Sequence, residues 1–204
     1  MITIIDCGMG NLRSVEKAFQ YLGYPAQVSS TREVIEKAER LVLPGDGAFG
    51  DEMRRLGELD LVSPLLEAVR RGIPFLGICV GQQLLFEESE EFGMHRGLGL
   101  LQGKIKKLPE TLPVPHMGWN QLHLKKNTGL LTGVDPESFV YFIHSYYVAG
   151  CDEAHVTATT DYGIEFPVVV ERGNIFSTQF HPEKSQRPGL RLLRNFAEIP
   201  SICR

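Results

Sequence analysis

Ile73-Pro74-Phe75-Leu76-Gly77-Ile78-Cys79-Val80-Gly81-Gln82-Gln83-Leu84-Leu85-Phe86 reads as a buried strand that turns abruptly into a helix, with one cysteine at the turn. The apolar run ending at Ile78 has the length of a strand covered on both faces, and Gln82 to Phe86 looks helical. Glycines on both sides of Cys79 remove side chains that would collide in so sharp a bend, and the bend lifts the sulfur above the strand ends. A helix opening at Val80 or Gly81 would aim unpaired N–H groups at the same point. There they stabilise a thiolate and a negative charge on a substrate oxygen. Taken alone, a cysteine in an apolar run is usually an inert core thiol. The glycine pattern makes Cys79 a candidate nucleophile.

Working outward, the first half alternates short apolar runs with amphipathic stretches. A strand is predicted at Ile2 to Cys7, a helix from about Leu12 to Leu22 stopped by Gly23, and a strand near Ala26 to Ser29. Ser30 and Glu33 form a capping-box pattern opening a helix to about Ala38, and Arg40 to Leu43 is a strand ended by Pro44-Gly45. A helix from roughly Leu61 to Arg71 closes at Gly72, before the Cys79 strand. Strands alternating with helices predict an α/β fold with an open, mostly parallel sheet flanked by helices, whose functional loops gather at the carboxyl ends of the strands. The second half adds β-rich segments near Gly118 to Leu124, Phe139 to Val148, Ala154 to Thr160, Pro167 to Glu171 and Ile175 to Phe180. Arg172-Gly173-Asn174 reads as a hairpin turn, and a last helix runs from about Pro188 to Ala197.

A nucleophile needs a base and a group to orient it, and His181-Pro182-Glu183 supplies both within three residues. In an extended segment, residues i and i+2 project to one side, and Pro182 pushes His181 away from helical geometry. Glu183 is therefore placed to steady His181 as the imidazolium partner of Cys79. A triad is recognised by geometry and roles rather than by chain order. The bland alternatives, a histidine satisfied at a strand end and a solvated carboxylate, lose weight because elbow and segment occur together.

The 204 residues can bury one substantial core, and a single domain spanning 1–204 is expected, with no internal repeat or long linker. A net charge of −4, with no basic stripe interleaved with aromatics, argues against a nucleic-acid partner. The start, Met1-Ile2-Thr3-Ile4-Ile5, lacks the regions of a secretion signal, and no apolar run reaches membrane-spanning length, so a cytoplasmic protein without a membrane partner is expected. The cysteines at 7, 79, 151 and 203 have no spacing that suggests a disulfide framework or a metal site, and no cofactor is indicated.

Pro44-Gly45-Asp46-Gly47 also lies at a strand's carboxyl end, where glycines allow a backbone N–H to turn toward an oxyanion beside that of Val80. Cys7-Gly8-Met9-Gly10-Asn11 only superficially suggests a nucleotide loop, since a third glycine and an acidic ribose ligand are missing. His116-Met117-Gly118-Trp119-Asn120 is a rigid loop entering a strand. His144-Ser145-Tyr146-Tyr147 reads as a strand edge lining a cleft rather than a second catalytic pair. His95, His123 and His155 have no partners at telling spacings.

The cysteine elbow at Gly77 to Gly81 with a distal His-Pro-Glu resembles the class I glutamine amidotransferases, over nearly the whole chain. Three further strings, Gly8 to Leu12, His116 to Asn120 and His144 to Val148, resemble the branch of that family serving histidine biosynthesis. The resemblance implies a flavodoxin-like fold in which Cys79 attacks the side-chain amide of glutamine and His181 shuttles protons, with Glu183 completing the triad. It implies that Gln83 and Glu91 hold the glutamine, with Ser145 and Tyr146 along its backbone. It also implies oxyanion donors at Val80 and, after a peptide flip in the Gly45 to Gly47 loop, at Asp46. The chain departs from the family in having an acid at Asp46 and Gln82 where methionine is common.

Ammonia is a nucleophile only while unprotonated, so a sealed route to a second active site is needed. The resemblance implies a heterodimer with a cyclase subunit, a (β/α)8 barrel, that uses the ammonia to form imidazole glycerol phosphate and an aminoimidazole carboxamide ribonucleotide. Asn11, Trp119, Lys184 and Tyr141 or a neighbouring aromatic would lie at that interface. Two other readings compete. One is a glutaminase for pyridoxal phosphate, anthranilate or purine synthesis, against which the His116 and His144 strings argue. The other is a non-catalytic scaffold of the same fold.

Overall fold

A computed structural model describes residues 1–200; Cys203 lies outside them. The first half runs β1 (Ile2–Ile5), α1 (Leu12–Tyr21), β2 (Ala26–Ser29), α2 (Arg32–Glu36), β3 (Leu41–Gly45), α3 (Phe49–Glu58), α4 (Val62–Arg70), β4 (Phe75–Cys79) and α5 (Val80–Gln83). The second half runs β5 (Glu88–Ser89), β6 (His95–Arg96), β7 (Lys104–Lys107), β8 (His116–Gln121), β9 (His123–Leu124), β10 (Phe139–His144), β11 (Tyr146–Ala149), β12 (Val156–Asp161), β13 (Glu165–Arg172), β14 (Ile175–Thr178) and α6 (Gln186–Glu198). Short 3-10 turns lie at Glu153–His155 and Pro182–Lys184.

The main sheet has the order β2-β1-β3-β4-β14-β13-β12-β9. It is parallel from β2 through β14 and antiparallel beyond. The central strands are buried along their length, as a parallel sheet covered by helices requires. The amphipathic helices close the core with Phe19 from α1, Leu56 from α3, Leu65 from α4 and Phe196 from α6. Two smaller sheets, β10-β8 and β11-β7-β5-β6, complete the second half.

What matters for function is register. Gly45 of β3 lies opposite Cys79 of β4, and Thr178 of β14 lies opposite Ile78. Because these strands are parallel, their carboxyl ends deliver the Gly45–Gly47 loop, Cys79 and the segment leading to His181 to one edge of the sheet.

Several local expectations change. Helix α3 has no counterpart in the sequence reading, because its buried face comprises only Phe49, Glu52 and Leu56 and it carries Gly50 and Gly57. The capping box at Ser30 does not form: Thr31 is the N-cap without a side-chain cap, and α2 is five residues long. The helix after Cys79 is a single turn. The Phe139 to Val148 run is broken at Ser145, with β10 pairing to β8 and β11 to β7. The hairpin at Gly173-Asn174 is present, joining Arg172 to its partner Ile175, with Gly173 at φ 60°. Among the described residues, no helix is long and apolar enough to cross a membrane.

Candidate active site

Cys79 occupies the junction of β4 and α5 with φ 58° and ψ −114°, a conformation sparsely populated by residues with side chains. A Cβ on Gly77 would lie 2.5 Å from the Gly81 carbonyl oxygen, and one on Gly81 would lie 1.8 Å from the Leu43 carbonyl oxygen. Both glycines are therefore demanded by close approach of main chains, as the sequence pattern suggested. The thiol is almost wholly buried, with Sγ 3.8 Å from the Ile143 carbonyl and 3.8 Å from Nε2 of Gln179.

His181 and Glu183 meet by a different route from the one expected. His181 is extended, but the chain coils at once into the Pro182–Lys184 turn, and that turn brings Oε1 of Glu183 to 2.8 Å from Nδ1 of the ring. Ser185 fixes the unit from behind: its hydroxyl donates to the His181 carbonyl at 2.6 Å and accepts from the Tyr141 N–H at 2.9 Å. The His181 N–H in turn donates to the Tyr141 carbonyl. With Nδ1–H held by the carboxylate, Nε2 is left without a partner on the side of Cys79. Burial lowers the pKa of the ring, but the charge on the Cys79 sulfur and the Glu183 carboxylate outweigh it and push the value up to about 10. The imidazole therefore rests protonated, between the Cys79 sulfur and the Glu183 carboxylate. Cys7 and Cys151 lack such partners, and burial pushes each thiol up to about 11.

Cys79 and His181 open onto a cleft of about 470 Å³. Gln83, Glu91, Ser145 and Tyr146 all line it, as do Val80, Asp46 and Lys184. Gln83 is held by Nε2 bonds to the Tyr146 carbonyl at 3.1 Å and to Oε1 of Gln179 at 3.0 Å. Glu91 accepts the Phe49 N–H at 2.7 Å, at the start of α3, and burial raises its pKa. His144 is not part of a second acid–base pair with the cleft. It bonds His116 at 2.9 Å and the Tyr146 carbonyl at 2.8 Å, and burial keeps both rings neutral, with pKa values lowered to about 3 and about 4. A separate cleft of about 570 Å³, bordered by Tyr21, Arg187 and Arg194, brings no nucleophile and base together.

The Gly45 to Gly47 loop rests in the unflipped arrangement, and of its residues Gly45 is not brought to the cleft. Its α-carbon abuts the Glu52 carboxylate, where a Cβ would be 2.3 Å from Oε2. The Asp46 and Gly47 N–H groups both point to Glu52, the latter at 2.9 Å from Oε1, so the resting loop presents neither donor to Cys79. The Asp46 carboxylate is occupied by the Gly10 N–H at 2.7 Å. Gln82, the other departure from the family pattern, is fully buried and bonds Ser177 at 3.0 Å beneath the elbow.

Trp119 and Tyr141 pack edge to face at 6.0 Å on neighbouring strands, and the Lys184 ammonium lies 5.9 Å above the Tyr141 ring. Trp119 is 48 % exposed, an unusual position for an indole. Asn11 precedes α1, which packs beside the Pro182–Lys184 turn. Sequence reasoning missed Gln179 and Glu52. Gln179 follows β14 directly, one polar residue after Ser177 and Thr178, and Glu52 lies in the helix that the apolar period did not reveal.

An elbow cysteine, a buried imidazole–carboxylate pair and a cleft at the carboxyl edge of a parallel sheet are the arrangement of an α/β enzyme with a cysteine nucleophile. The family model described as Glutamine amidotransferase class-I matches residues 3–199. The chain is 51 % identical to the imidazole glycerol phosphate synthase subunit HisH of Syntrophotalea carbinolica, over 98 % of this chain and 100 % of that protein. It is 53 % identical to the HisH subunit of Aquifex aeolicus, over 95 % and 94 %. Among solved structures, a glutamine amidotransferase superposes with a TM-score of 0.78 at 23 % identity, covering 97 % of this chain and 98 % of that one. PurLQS from Thermotoga maritima superposes with a TM-score of 0.77 at 18 % identity, over 96 % of each chain. The chain belongs to the class I glutamine amidotransferases, and within them to the HisH subunits of imidazole glycerol phosphate synthase.

Proposed function

We propose that this chain hydrolyses glutamine and delivers the ammonia to a cyclase subunit in histidine biosynthesis. The observation that carries the chemistry is Cys79, held at φ 58° beside the His181–Glu183 pair and opening on a cleft. The thiolate attacks the side-chain carbonyl carbon of glutamine, and Gln83, Glu91 and the Ser145–Tyr146 edge hold the amino acid. The Val80 N–H receives the developing oxyanion together with a loop N–H from Asp46. The imidazolium Nε2–H passes its proton to the amide nitrogen, the C–N bond breaks, and ammonia leaves a γ-glutamyl thioester. His181, now neutral, takes a proton from water; the hydroxide attacks the thioester, the C–S bond breaks, and glutamate and thiolate return.

The partner is a cyclase subunit with a (β/α)8 barrel, bound as a heterodimer through the face carrying Trp119, Lys184 and Asn11, and the complex works in the cytoplasm. The inward loop N–H groups fit a subunit that turns over slowly alone and faster once the cyclase holds its ligand. The test is glutamate release by the chain alone and with cyclase carrying its ribulosyl phosphate substrate. Faster turnover with the liganded cyclase supports the reading, and equal turnover in both contradicts the coupling.

A further inference from the structure

Glu52 is fully buried in α3, where a carboxylate is costly to hold charged without a cation beside it. Its Oε1 accepts the Gly47 N–H at 2.9 Å, the Asp46 N–H faces the same carboxylate, and Oε2 has no partner at all. The titratable groups facing it are Asp46 in the loop, Glu91 from the cleft wall and Cys7 after β1, and none of these is a cation. The chain therefore buries a carboxylate against the loop N–H groups from which an oxyanion site at Cys79 would draw its second donor, beside the Val80 N–H. A carboxylate and an oxyanion compete for the same donors.

We propose that Glu52 is a positioning residue for the oxyanion site: it clasps the Asp46 and Gly47 N–H groups inward, and hydrolysis proceeds only when the clasp lets a donor turn toward Cys79. This rests on the glutaminase reading above and adds the element that sets its resting rate. A charged acceptor holds an N–H about twice as strongly as a neutral one, so removing the charge while keeping the shape weakens the clasp. Burial already pushes the carboxyl up to about 7, where solution conditions also tune it.

The experiment compares kcat and KM for glutamine in the isolated wild-type chain, Glu52→Gln and Glu52→Asp across the range either side of pH 7. Glu52→Gln should raise kcat roughly fivefold with little change in KM on the alkaline side, since the clasp acts on the transition state rather than on bound glutamine. The ratio to wild type should shrink toward one on the acid side, where Glu52 is itself protonated. Glu52→Asp, whose carboxylate is one methylene too short to keep the 2.9 Å contact with the Gly47 N–H, should also turn over faster than wild type. A pH-independent Glu52→Gln ratio, a ratio at or below one, or a Glu52→Asp rate at or below wild type overturns the clasp. In the wild-type chain, the exchange protection of the Gly47 amide, corrected for intrinsic pH dependence, should fall severalfold on acidification through about 7. Constant protection also overturns it. Failure of the clasp leaves wild-type turnover intact, whereas a wild-type chain inactive with and without cyclase removes the glutaminase reading itself.

Discussion

Oε1 of Glu183 lies 2.8 Å from Nδ1 of His181, two residues away across one 3-10 turn, and neither side chain is open to solvent. That contact fixes the tautomer, leaving Nε2 to face Cys79. Replacing Glu183 by Gln keeps the shape and removes the charge, so the imidazolium loses its support. The expected drop in kcat is about 10²- to 10⁴-fold. His181 should titrate well below the wild-type value of about 10, read by NMR of the labelled imidazole.

The raised pKa of His181 also links fold stability to pH. The unfolded ring takes its ordinary value near 6.5, so the stabilising contribution is complete below that and fades as pH rises toward about 10. Thermal melts of wild type should fall across that window, and His181→Ala should flatten the slope. An unchanged slope would place the imidazolium elsewhere.

Glu52 works with the same sign for a different reason. Its carboxyl is pushed up to about 7 by burial against an ordinary 4.5, so holding it charged costs about 3 kcal/mol above that range, and the cost disappears as pH falls toward 4.5. Glu52→Gln should therefore raise Tm on the alkaline side of 7 and change it little near 4.5.

Gly81 approaches the Leu43 carbonyl so closely that a methyl group cannot fit without moving strand backbone. Gly81→Ala should cost about 3 kcal/mol of stability, read by denaturant unfolding, and should abolish turnover by displacing Cys79.

Trp119 stands half exposed against Tyr141, with Lys184 above that ring. Trp119→Ala should weaken cyclase binding at least about tenfold by titration calorimetry while leaving the melt of the isolated chain within about one degree.

The elbow was legible in the sequence because steric necessity writes itself as glycines: Gly77 and Gly81 mark where two main chains meet. The parallel half of the sheet was legible because strands buried on both faces read as unbroken apolar runs, as in Leu41 to Leu43 and Phe75 to Ile78. The Cys79–His181 pairing was readable as chemistry, but the turn that joins His181 to Glu183 was not, since a His-Pro-Glu string fits an extended chain equally well. Helix α3 and its Glu52 escaped because a buried carboxylate reads as a polar surface residue, and only the fold shows that Gly45 and Gly47 fold over it. Two-residue strands such as β5 and β6 carry too little pattern to find.

If Cys79 forms a thioester with the side-chain acyl group of glutamine, mass spectrometry after exposure to a glutamine-mimicking electrophile, alone and with liganded cyclase, should find a single adduct on Cys79. None should form on Cys7 or Cys151, and the adduct should form faster with the liganded cyclase and be absent in Cys79→Ala. An adduct on another cysteine, or none while glutamine is still hydrolysed, would contradict the thioester route.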